Sequence, residues 1–113
     1  AASDVYKRQV REKARMALTS LAPMICGQDA DILRTLLPNL ASSAMHDDDE
    51  SARNAAVYAL GAALGALCDA EATTRKEAIA LRAEFEPTLR ALAEDAVESV
   101  RNAAKDELED REW

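Results

Sequence analysis

The sequence predicts an all-α fold, and within that class an α-solenoid of antiparallel helix pairs, on three observations. The first is composition: 113 residues hold 25 alanines but only four aromatics and three glycines, a poor fit to β-sandwich, collagenous or disulfide-scaffold chains. The second is periodicity, since apolar residues recur at three-and-four spacing in segment after segment and none shows sustained two-residue alternation. The third is an internal repeat of 42 to 48 residues, each period holding two helices, the mark of stacked helical units.

Val10, Ala14, Ala17, Leu18, Leu21 and Ile25 predict a first helix with one buried face, ended by Gly27. Asp29 or Asp31 then offers a carboxylate to the free N–H groups of a second helix carrying Leu33, Leu36, Leu37, Leu40 and Ala44. Pro38 lies inside that helix, removes a backbone donor and predicts a kink. After a turn at His46–Glu50, Ala52, Ala55, Ala56, Ala59, Leu60, Ala63, Leu64 and Leu67 form an unbroken stripe. Thr73 or Thr74 caps a fourth helix with Ala78, Leu81, Phe85, Leu89 and Leu92 inward and Pro87 near its end. The fifth turns Val97, Val100, Ala103, Ala104 and Leu108 inward and leaves Asp106, Glu107, Glu109, Asp110 and Glu112 as a solvated face.

Ser51-Ala52-Arg53-Asn54-Ala55-Ala56 and Ser99-Val100-Arg101-Asn102-Ala103-Ala104 differ at one position in six, 48 apart, and Val10-Arg11-Glu12-Lys13-Ala14 enters the same register 42 before Arg53. Pro38-Asn39-Leu40 and Pro87-Thr88-Leu89 keep nearly the same offset, and Asp47 and Asp95 each lie six residues before an arginine. This pattern of proline in the first helix, aspartate at the turn and then Val/Ala-Arg in an Ala-rich second helix resembles HEAT repeats. The resemblance implies residues 10–27 as the second helix of a truncated repeat, then full repeats at 28–69 and 70–113. It also implies that Asp47 and Asp95 hydrogen-bond near the starts of their second helices and meet Arg53, Arg101 or a neighbouring repeat's arginine in a structural ladder. The chemistry is sound, because a carboxylate at a helix N-terminus faces the positive dipole end and arginine takes a carboxylate with two hydrogen bonds. The aspartate expected six residues before Arg11 is replaced by Val5, so that rung is expected to be missing.

Ala1–Gln9 back-translates to a codon string that resembles the transposase adapter of sequencing libraries, and is set aside as a construction scar. On that reading the natural protein is cut before Val10. The nine residues carry a net +1, leaving −8 on the rest of a chain whose total is −7. Acidity of this kind disfavours nucleic acid and anionic membranes as partners. No apolar run approaches the ~20 residues of a membrane span, and a cytoplasmic, or also nuclear, location is expected.

Cys26 and Cys68 are 42 apart, at equivalent helix ends, where a thiol packs as a small apolar group. Packing is the favoured reading over a disulfide or a redox or metal role. His46 precedes Asp47-Asp48-Asp49-Glu50, which lacks the alternating acids and central glycine of a calcium loop and reads as helix-start solvation. Gly61 and Gly65 share a helix face and suggest close helix packing. No nucleophile elbow, phosphate loop or paired-histidine motif occurs, so neither an enzyme nor a cofactor is expected.

Asp47 to Gly61 resembles most the repeats of the importin-β family. That resemblance implies a nuclear transport receptor carrying protein cargo, with basic cargo and a small GTPase as partners of the full-length protein. Asp48, Asp49, Glu50, Asn54 and Asn102 are then candidates for a protein-binding surface, against the plain alternative of solvated side chains. The alternative function is a structural scaffold, such as a phosphatase-type or microtubule-associated assembly platform. A HEAT-type lyase or hydroxylase would need clustered His and Glu ligands, and the chain has one histidine.

Overall fold

The computed structural model describes residues 2–71 and 73–110, with side chains described between residues 9 and 109. Five helices follow one another: α1 (Ala2–Gln28), α2 (Ala30–His46), α3 (Glu50–Asp69), α4 (Arg75–Leu92) and α5 (Glu98–Asp110). Among the described residues there is no strand. The helices form two layers, α1, α3 and α5 touching in sequence in one and α2 and α4 in the other. That arrangement makes an all-α solenoid of 46 × 30 × 18 Å.

Helix starts are set by side-chain oxygens that accept backbone N–H groups otherwise left without partners. Asp29, and not Asp31, caps α2 by accepting from the Asp31 N–H, Asp49 caps α3 through Ala52, and Thr74, rather than Thr73, caps α4 through Glu77. Gly27 does not end α1, which runs on to Gln28. It also begins at Ala2, through the segment set aside on sequence grounds, whose Ala, Lys, Arg and Gln residues all favour helix. Whether residues 1–8 make side-chain contacts, and the predicted exposure of Asp110 and Glu112, lie outside the described residues. Pro38 and Pro87 sit within α2 and α4, each of which continues past its proline.

The core runs between the layers: Leu33, Leu37 and Leu40 of α2, Leu60, Leu64 and Leu67 of α3, Phe85, Leu89 and Leu92 of α4, and Val100 of α5. Each fully buried leucine or phenylalanine contributes about 1.5–3 kcal/mol of hydrophobic stabilisation. α3 touches every other helix, and this explains why eleven of its residues, five of them alanines, are buried. An alanine-rich surface lets neighbouring helices come close on all sides, and a larger residue there would overpack them.

Two predicted faces need correction. In α1 the residues turned toward the molecule are Arg11, Arg15, Leu18, Ala22, Ile25 and Cys26, all buried or half-buried. Val10 (48%) and Leu21 (43%) are exposed, as are Ala14 and Ala17. The helix is apolar over so wide an arc that periodicity alone cannot choose its inner side; the side turned inward packs Leu18, Ala22, Ile25 and Cys26 on the core and carries Arg11 and Arg15 to Asp47. In α5, Glu107 is buried at 8% exposure, not part of the solvated face. It lies on the i, i+3, i+4, i+7 stripe begun by Val100, Ala103 and Ala104.

Candidate functional site

The polar groups held inside the fold lie where one helix pair meets the next. Asp47 follows α2 and directs its carboxylate back to α1, where Arg11 grips it with two hydrogen bonds, Nε to Oδ2 at 3.0 Å and Nη2 to Oδ1 at 3.1 Å. Arg15, one turn further on, donates to Oδ2 at 3.3 Å and to the Ser43 hydroxyl at 2.8 Å. The Asp49 N–H also donates to Oδ1, at 3.0 Å. Burial pushes the Asp47 carboxyl up, but the Arg11 hydrogen bonds, the Asp49 N–H and the charges of Arg11 and Arg15 outweigh it and hold the group below the usual carboxylate range. The Asp47 hydrogen bond in turn raises the Arg11 guanidinium above its ordinary value.

Arg11 therefore has a rung after all, made forward to the aspartate 36 residues on and not with one six residues before it. The second contact has the same direction: Arg53 reaches Asp95, 3.6 Å away, while Asp95 accepts the Val97 N–H at 2.8 Å as Asp47 accepts that of Asp49. It is thinner, because Val57 and Ala91 stand at the positions that correspond to Arg15 and Ser43. The Arg53 Nε is buried without a hydrogen-bond partner. Arg101 donates to the main-chain oxygen of Asp95 at 3.0 Å. Arg15 and Ser43 escape sequence reasoning, although Arg15 lies four residues after Arg11 and Ser43 four before Asp47, the spacing that puts each pair on one helix face.

The run Asp47 to Glu50 does not converge. Asp47 turns inward, Asp49 caps α3, and Asp48 and Glu50 are exposed. Asn102 is exposed, whereas Asn54 is half-buried with its Oδ1 atom unpaired. Among the described residues no group of His, Cys, Asp and Glu is placed to hold a metal ion. The two cysteines are free thiols that each reach a carbonyl oxygen of a later segment, Cys26 that of Ala66 at 3.5 Å and Cys68 that of Ala78 at 3.7 Å. Gly61 lies directly under the Glu107 carboxylate, in space that a Cβ atom would fill. Between α1 and α3 a cleft of about 710 Å³ opens, walled by Thr19, Pro23 and Cys26 on one side and Ala62, Gly65 and Ala66 on the other.

The helices thus stack in two layers, and at two places an arginine of one layer meets the aspartate that follows a later helix of the other. Residues 8–63 match the HEAT-like repeat family. The match takes in most of α1, all of α2, the first rung and most of α3, and over those residues it supports the HEAT-repeat reading. HEAT-like repeats are helical scaffolds that commonly serve protein interaction. No curated protein and no solved structure matches the chain. No helix among the described residues is long and apolar enough to cross a membrane.

Proposed function

We propose that this chain is part of a HEAT-repeat protein-binding scaffold, with repeats at 28–69 and 70–113 and the second helix of a further one at 10–27. In this reading the layer of α1, α3 and α5 presents the surface that a partner protein meets. The observation that carries it is the rung crossing from Arg11 and Arg15 to Asp47. It spends the buried charge on holding one helix pair against the next and leaves Asp48, Glu50 and Asn102 exposed for contact. Asp47, Arg53, Asp95 and Arg101 are the ladder, and they act on the partner only by setting the spacing of the helices.

The acidic balance of −7 favours basic protein partners, since complementary charge raises association rate and selectivity. Together with the resemblance of Asp47 to Gly61 to importin-β repeats, this makes a nuclear transport receptor our specific proposal. The test is binding of a purified basic cargo protein to the full-length protein, with and without the GTP-loaded small GTPase of nuclear transport. Release of cargo by the GTP form alone is expected. Cargo binding indifferent to the GTPase overturns the transport reading and leaves a scaffold subunit.

A further inference from the structure

The cleft between α1 and the C-terminal half of α3 is set apart by its chemistry. Its walls are small or apolar, Pro23 and Cys26 facing Ala62 and Ala66, while the charged groups that line it are two carboxylates, Asp69 and Glu71, with no arginine or lysine among them. Both carboxylates are exposed, and neither pairs with a cation among the described residues. This differs from Asp31 and Glu86, which are neutralised by Arg34 and Arg90 on their own helices. At about 710 Å³ the opening has the dimensions of a small-ligand site. A long side chain with an alkyl stem and a cationic head suits it, the stem against the apolar wall and the head at the carboxylates.

We propose that this cleft seats an arginine or lysine side chain presented on a short segment of a partner protein. The inference rests on the protein-binding reading above and names the chemistry that the partner must supply. Apolar walls alone would accept any hydrophobic segment, and exposed carboxylates alone would attract any cation weakly. Their adjacency selects a residue that has both parts.

The test uses the full chain and a fluorescent Gly-Ala-Arg-Ala-Arg-Ala-Gly peptide, with a citrulline analogue that keeps the side-chain shape and removes the charge. Binding is read by anisotropy, and the helical content of each variant by circular dichroism. Both Asp69→Asn/Glu71→Gln, which removes charge, and Ala62→Leu, which fills the cleft and keeps the charge, are expected to weaken the arginine peptide at least about threefold, as is the citrulline exchange. In a Cys68→Ser background the arginine peptide is expected to slow alkylation of Cys26 by iodoacetamide. Unchanged affinity in Ala62→Leu, or unprotected Cys26 at saturating peptide, overturns the cleft as the seat. Retention of a basic partner protein by the cleft variants with undiminished affinity would likewise overturn this inference, while the scaffold reading stands.

Discussion

At the scale of single residues, Asp47 and Asp95 occupy equivalent places with unequal partners. The Asp47 side chain is 7% exposed and bound by two arginines and an N–H, whereas Asp95 has one arginine at 3.6 Å and an N–H. Asp47→Ala leaves Arg15, whose side chain is 12% exposed, with its charge unpaired. We expect it to cost about 2–3 kcal/mol, against about 1 kcal/mol for Asp95→Ala, in paired denaturant melts. Acid should weaken the Asp47 rung as well. Because the folded-state pKa of Asp47 lies below its unfolded value, its contribution is complete above the unfolded pKa and is lost as pH falls through the folded one. From about pH 4 downward the stability of the parent protein should therefore converge on that of Asp47→Asn. A constant gap between the two down to pH 2 would show that the carboxylate charge is not what stabilises the rung.

At the scale of helices, α3 and α5 meet where the Glu107 carboxylate lies over Gly61. A Cβ there would overlap the Glu107 carboxylate, so the end of that buried side chain would have to shift to admit it. Gly61→Ala should cost about 1–3 kcal/mol, and Gly61→Ala/Glu107→Ala should recover stability relative to Glu107→Ala alone, measured as a coupling in a double-mutant cycle. This contact also shows what the sequence makes legible. The stripes of α3 and α4 and the cap residues Asp29 and Thr74 follow from period and side-chain chemistry, which are local. Glu107 reads as solvated because residue type outweighs position in such reasoning, although its spacing from Val100 already places it on the core stripe. The inner side of α1 is the one that packs on α3 and meets Asp47, 36 residues beyond Arg11. No local pattern contains that information, and five apolar residues on the outward side point the wrong way. Asp47 and Arg53 are both legible as polar residues at a turn and a helix start, but that Asp47 takes Arg11 and Arg15 while Arg53 takes Asp95 is decided by how the helices stack.

At the scale of the whole molecule, the outward side of α1 is a continuous apolar strip of Val10, Ala14, Ala17, Leu21 and Met24, with Val10, Leu21 and Met24 each 43–54% exposed. The corresponding α3 residues Ala52, Ala56, Ala59 and Ala63 are fully buried. An open strip of this kind promotes association. Sedimentation of the chain should therefore depend on concentration, and Leu21→Glu/Met24→Glu should abolish that dependence without lowering the melting temperature. A monomer at all concentrations would contradict this. The unequal rungs bear on the molecule as a mechanical object. One rung ties α1 to the turn after α2 and the other ties α3 to the turn after α4, so bending or stretching the stack of helices loads both. The junction at Asp47 resists with two arginines and a serine, the one at Asp95 with a single longer contact. The two junctions therefore differ in compliance. Under tension the array should yield first at Asp95, parting α4 and α5 from the rest while the Asp47 junction stays closed, so that the end at α5 adapts its curvature to a load and the end at α1 keeps its own.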